Sequence, residues 1–191
     1  MIQIIGIVEV FLFYLAYFLK LCKQKRKGIK TNQLGKGNKP AKTVIIETML
    51  RISSTIIAVV ILASAMLNYS LLYNYILRWV GLIIFGIGTM FFIIAMITMK
   101  DSWRAGIPDD DRTSMVTIGI YKISRNPAFL GFDLTYIGAS IAFGSIILYI
   151  LTVFTMTLMH LQILEEEKFL MDTFGNEYLS YKKEVGRYIT Y

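Results

Sequence analysis

Between Ala128 and Leu164 the chain runs for 37 residues with one acidic side chain, Asp133, one histidine, His160, and no lysine or arginine. About 20 apolar residues cross a hydrocarbon core as a helix. Within lipid, only a helix or a closed barrel can satisfy its own backbone hydrogen bonds. A run of this length suits two helices joined by a tight turn, which falls at Phe143, Gly144 and Ser145. Three further apolar runs precede it. They cover 2–19, interrupted by Glu9; 44–67, opened by Glu47 and Arg51; and 78–99, carrying Gly81, Gly86 and Gly88. With 55% hydrophobic and 17% charged residues, the chain holds more apolar surface than one soluble core conceals. The expectation is an all-α, polytopic membrane protein of about five transmembrane helices. The last two form a hairpin, and the whole of 1–191 forms a single domain with N-terminal spans (1–99) and a C-terminal half (100–191).

The charge of +7 is unevenly placed. From Lys20 to Lys42 there are nine lysines or arginines and no acid. Beside an apolar segment such a block marks the cytoplasmic side and meets anionic lipid. It lacks the interleaved aromatic residues that would stack on nucleic-acid bases, which argues against that partner. The linker 20–43, with Gly28, Gly35, Gly37 and Pro40, reads as an exposed loop. The first run has no basic segment before it and carries its positive charge after it, the pattern of a retained span with its N-terminus outside. Five spans then put the C-terminus in the cytoplasm, in the cell membrane if the source is prokaryotic. They also place segments 100–127 and 165–191 on one face, where they can build a single site.

Chemistry-bearing residues concentrate in those two segments. Tyr121, Lys122, Arg125, Asn126 and Pro127 arrive together just before an apolar helix. Pro127 suits its first turn, and the N–H groups exposed there form an anion seat beside Arg125. In the tail, Leu170, Phe174, Tyr178 and Tyr181 recur every three to four residues, an amphipathic helix at the membrane surface that Gly175 interrupts. Glu165, Glu166 and Glu167 precede it. Carboxylates on one wall and a donor-rich, cationic edge on the other suit a zwitterion with hydroxyls. A structural ion pair between Arg125 and a glutamate accounts for the same residues equally well. One cysteine, Cys22, and one histidine supply no metal-ligand cluster. Asp109, Asp110 and Asp111 read as a solvated turn rather than a metal site.

Gly119 and Tyr121, then Ser124, Arg125, Asn126, Pro127, Phe129 and Gly131, resemble the G-x-Y…R-H-P-x-Y-x-G motif of the isoprenylcysteine carboxyl methyltransferase family. Glu166, Glu167, Leu170, Phe174, Gly175, Tyr178 and Tyr181 are similar to its E-E-x-x-L-x-x-x-F-G-x-x-Y-x-x-Y signature. The resemblance covers roughly 100–190. It implies a small membrane methyltransferase that uses S-adenosylmethionine without a Rossmann domain. Carried over by position, Gly119, Tyr121, Arg125, Asn126, Pro127, Glu166 and Glu167 would bind the cofactor. Arg125, Asn126 and Glu167 would be catalytic, and Trp103, Arg104 and Arg187 would be candidates for holding the acceptor. Asn126 stands where the family has histidine and Phe129 where it has tyrosine, so a mechanism that needs a histidine base there is in doubt. The acceptor implied is lipophilic and comes from the bilayer, most simply a carboxylate of an isoprenoid-type or other lipid-like molecule. No obligate protein partner is evident. Alternatives are a phospholipid amine methyltransferase, a steroid-reductase-like NADPH enzyme and a non-enzymatic membrane scaffold. Binding of S-adenosylmethionine or NADPH separates them.

Overall fold

A computed structural model describes residues 1–108 and 114–190. The acidic triplet Asp109, Asp110 and Asp111 lies outside the described residues. Six α-helices follow in order: α1 (Ile2–Arg26), α2 (Ala41–Met66), α3 (Tyr75–Met99), α4 (Pro127–Phe143), α5 (Ile146–Phe174) and α6 (Asn176–Glu184). Short 3-10 turns occupy Lys100–Ser102 and Gly119–Lys122. Helices α1, α2, α3 and α5 are long and apolar enough to cross a membrane, and α4 is a shorter apolar helix of 17 residues. At 1.5 Å per residue, α4 extends about 26 Å, near the lower limit for a crossing. The protein is an all-helical, multi-pass membrane protein.

The helices overrun the apolar runs. Helix α1 continues through the basic residues to Arg26, and α5 continues ten residues beyond Leu164. Lipid sets the apolar length, whereas backbone hydrogen bonding continues until something stops it. For α5 the stop is Gly175, whose φ of +50° with ψ −120° is open to glycine and strained for other residues. The three glutamates are therefore interior to a helix and not at its end. The α4–α5 turn falls at Gly144 and Ser145, and the Ser145 hydroxyl accepts the Leu148 N–H at 3.1 Å.

Helices α3 and α4 make the most extensive contact in the fold. A Cβ placed on Gly81 would lie 2.7 Å from the Gly138 carbonyl oxygen, and one on Gly88 would lie 2.6 Å from that of Gly131. Two glycine pairs, seven residues apart on each antiparallel helix, thus let the backbones meet, as small residues do in membranes. Gly86 has no part in this seam and faces the Glu9 carboxylate.

The linker 27–40 differs from the expected exposed loop. Thr31 and Gln33 are buried. Asn32 pairs in a parallel bridge with Ala105, and Gln24 donates from its side chain to the Trp103 carbonyl at 3.0 Å. Five of the nine cations have internal partners. Lys20 caps the end of α3 through the carbonyls of Met96 and Lys100. Lys27 pairs with Asp101, Lys36 reaches the Asn32 carbonyl, Lys39 pairs with buried Glu47, and Lys42 pairs with Glu165. Lys23, Lys25, Arg26 and Lys30 remain exposed. Much of the block is therefore spent on tertiary structure, which composition does not reveal.

Candidate active site

At the end of the molecule that holds this linker, a cavity of about 540 Å³ opens among α1, α2, α4, α5, α6 and the 102–108 and 114–121 segments. A volume of this size suits a small organic ligand. Its polar end is built by the segment leading into α4. Gly119 (φ +61°) starts a 3-10 turn that buries Tyr121, whose carbonyl accepts the Tyr181 hydroxyl at 2.6 Å. Ser124 is fully buried and its hydroxyl accepts the Asn126 N–H at 3.0 Å. Pro127 occupies the first turn of α4, where its missing N–H loses nothing.

Arg125 forms the center of a clamp. Its Nη1 donates to the Lys182 and Val185 carbonyls at 3.0 and 2.8 Å, capping α6, and its Nη2 donates to Glu167 Oε1 at 2.8 Å. Arg187 grips the same carboxylate from the tail, through Nε at 2.9 Å and Nη2 at 2.8 Å. Arg125 and Glu167 side chains are each only 7% exposed. The hydrogen bond to Glu167 holds the Arg187 guanidinium above its ordinary range. The tail 185–190 is further tied down by Thr190 N–H to the Ile123 carbonyl, by Asn126 Nδ2 to the Arg187 carbonyl, and by Tyr188 to His160 Nδ1 at 2.7 Å. Burial pushes the Tyr178 phenol up to about 12 and raises those of Tyr121, Tyr181 and Tyr188, so these hydroxyls stay protonated near neutrality.

Tyr121, Arg125, Asn126, Pro127 and Glu166 line the cavity, as do Trp103 and Arg104. Gly119, Glu167 and Arg187 do not. Gly119 sits against Thr98, while Glu167 and Arg187 form the clamp behind the wall. Asp133 is buried but away from the cavity lining. The tail stripe of Leu170, Phe174, Tyr178 and Tyr181 faces the cavity and clusters with Met115 and Val185, not with the membrane surface.

Two wall residues, Gln162 and Arg51, and the buried Glu47 behind them carried no strong sequence signal. Gln162, fully buried, donates to Glu166 at 3.1 Å and to Glu47 at 3.3 Å. Glu47, also fully buried, accepts from Lys39 Nζ, Gly35 N–H and Ile107 N–H at 2.7, 2.8 and 2.9 Å, joining the linker to the loop above the cavity. Arg51 lines the cavity from α2. The available signal was the polar series Glu47, Arg51, Ser54 and Thr55 at helical spacing inside an apolar run.

The site's donor set fits S-adenosylmethionine. Glu166 and the Gln162 carbonyl can accept from an ammonium or ribose hydroxyls, and Trp103 and Phe169 offer apolar ring surface. Four polar atoms on the wall residues, Gln162 Oε1, Trp103 Nε1, Arg125 Nε and the Tyr178 hydroxyl, are buried without a hydrogen-bond partner among the described residues.

The phospholipid methyltransferase family model matches residues 76–177, from the start of α3 to the first turn of α6. Probable protein-S-isoprenylcysteine O-methyltransferases of Oryza sativa subsp. indica and subsp. japonica are each 26% identical over 156 residues, covering 79% of this chain and 81% of theirs. The fold is shared with the solved eukaryotic intramembrane Ras methyltransferase ICMT at a TM-score of 0.56 and 20% identity. That match covers 81% of this chain and 54% of the other, so the chain spans about half the length of that structure. The chain belongs to the phospholipid methyltransferase family and is an integral membrane methyltransferase, similar in sequence to the isoprenylcysteine O-methyltransferases of rice.

Proposed function

We propose that the protein transfers a methyl group from S-adenosylmethionine to a carboxylate on a lipophilic, isoprenoid-type or other lipid-like acceptor. The observation that carries this reading is one continuous cavity that joins a polar end (Tyr121, Asn126, Glu166) to an apolar flank between α1 and α2 (Val10, Tyr14, Val59, Leu62). A soluble cofactor enters at the first, and a bilayer-borne acceptor reaches it from the second.

S-adenosylmethionine supplies an electrophilic methyl on a sulfonium, and its departing thioether is neutral. A carboxylate acceptor is already ionised near neutral pH, so no histidine is needed and Asn126 suffices at that position. Glu166 and Gln162 would hold the cationic end of the cofactor, with Asn126 beside it, and the aromatic walls exclude water. Rate then comes from alignment and desolvation. The clamp of Arg125, Glu167 and Arg187 braces α6 and the tail behind this wall. The names of the rice relatives support an acid acceptor over an amine.

The test is transfer of a tritiated methyl group into a total lipid and membrane-protein extract, with cofactor binding measured in parallel. Label should enter a base-labile ester, and Glu166→Gln should abolish both binding and transfer while the protein still inserts. Binding of NADPH in place of S-adenosylmethionine would move the protein to the reductase-like reading. Binding of neither would leave a scaffold.

A further inference from the structure

The cavity wall contributed by α2 is graded along its axis. Arg51, Ser54 and Thr55 face the cavity first, then Ala58, Val59 and Leu62. From Arg51 to Leu62 is about 16 Å of helix at 1.5 Å per residue. On the opposite wall α1 presents Tyr17 and Tyr14, then Val10, in the reverse chain direction and hence with the same polar-to-apolar order. Thr55, Val59 and Leu62 are exposed, so this groove opens sideways, where lipid would lie.

The arginines of the cavity wall are not equivalent. Arg125 is committed to Glu167 and to the carbonyls of Lys182 and Val185. Arg104 donates to the carbonyls of Asp101 and Trp103. The Arg51 side chain is exposed, and no hydrogen bond or ion pair engages it among the described residues, although its own carbonyl accepts from Ser54 and Thr55. A guanidinium about 15 Å along a helix from its start, at the head of an apolar groove, has a ready complement in an acid whose tail lies in lipid. Lysines of the same face are paired instead, Lys39 with Glu47 and Lys42 with Glu165.

We infer that Arg51 determines acceptor class: it holds the acid group of a single-chain anionic amphiphile whose tail lies along Ala58, Val59 and Leu62. Neutral and amine amphiphiles with the same tail are selected against. This rests on the methyl-transfer reading for its purpose, but binding alone decides it.

Trp103 lines the cavity, and Trp79 is the second of two tryptophans. In a Trp79→Phe background, quenching of Trp103 emission by a bromine-bearing C18 acid, the matching alcohol and the matching amine reports occupancy. The acid should bind at least about tenfold more tightly than the alcohol, as a charge-assisted contact requires, and the amine most weakly. Arg51→Gln should erase the preference while leaving alcohol binding intact, and Arg51→Lys should keep part of it. Equal binding of acid and alcohol by the unsubstituted protein, a preference for the amine, or an acid preference that survives Arg51→Gln would each overturn the inference. The unsubstituted protein and Arg51→Lys carry the test even where Arg51→Gln folds poorly. Selective acid binding without methyl transfer would retire the proposed reaction and leave the Arg51 assignment standing.

Discussion

At the residue scale, the decisive arrangement is one carboxylate held by two arginines. Glu167 accepts three charge-assisted hydrogen bonds, and one of those arginines also caps α6. Glu167→Gln leaves two guanidinium groups around a neutral amide that must turn a donor toward one of them. Breaking a buried pair in this way costs about 3 kcal/mol or more. The thermal transition of the purified protein should fall by several degrees, with Arg187→Lys falling less because a lysine keeps charge but loses two-point geometry. An unshifted transition for Glu167→Gln would show that the clamp bears no weight. A second residue-scale expectation concerns Lys100, which has φ +49° and ψ −123°, a region strained for any side chain. It is held there while its carbonyl accepts Lys20 Nζ at 2.7 Å. Lys100→Gly relieves that strain and should raise stability by about 1 kcal/mol, read as a higher melting temperature by circular dichroism.

At the scale of elements, the α3–α4 seam fixes where the candidate site can be. Helix α4 carries Asn126, Pro127 and Ala128 at its start, and its depth in the membrane is set by the register of Gly131 and Gly138 against α3. A side chain on Gly138 would meet the Gly81 carbonyl at 2.5 Å and Phe85 Cα at 2.8 Å, all backbone. Gly138→Val should therefore cost about 3 kcal/mol or prevent folding, whereas Gly86→Ala, facing only a movable Glu9 oxygen at 3.2 Å, should change stability by less than about 0.5 kcal/mol. Detergent-resistant yield and melting of the two variants check the contrast; similar behaviour would mean the seam is not tightly packed. The sequence shows Gly81, Gly86 and Gly88 together in one apolar run, but not which of them meet a partner helix. Which face of a helix meets a neighbour depends on residues 43 to 57 positions away, and no local periodicity encodes that pairing.

At the scale of the whole molecule, the connectivity puts the basic linker, the 100–108 segment and the tail at one end, through contacts such as Lys42 with Glu165 and Gln24 with the Trp103 carbonyl. The 67–74 turn lies at the other, tied to the α4–α5 turn by the Leu71 N–H on the Gly144 carbonyl. With the basic end cytoplasmic, Lys30→Cys should resist a membrane-impermeant maleimide in intact cells, and Tyr73→Cys should react, both in a Cys22→Ser background. Labelling of Lys30→Cys with protection of Tyr73→Cys would invert the orientation.

The hydrophobic runs by themselves determined the helical membrane class, the four long apolar helices with the shorter α4, and the turn at Gly144. They could do so because a bilayer imposes one length and one hydrogen-bonding solution on any apolar segment. The local motifs also marked Tyr121, Arg125, Asn126, Pro127 and Glu166 as neighbours of a site. Only the tertiary structure decided that Glu167 is consumed by Arg125 and Arg187, that five cations of the basic block find internal partners, and that Gln162, held by Glu47 behind it, completes the wall. A charge in the sequence declares its sign but not its partner. The partner is chosen by helix packing across the bilayer, where an unpaired buried ion is too unfavourable to leave alone.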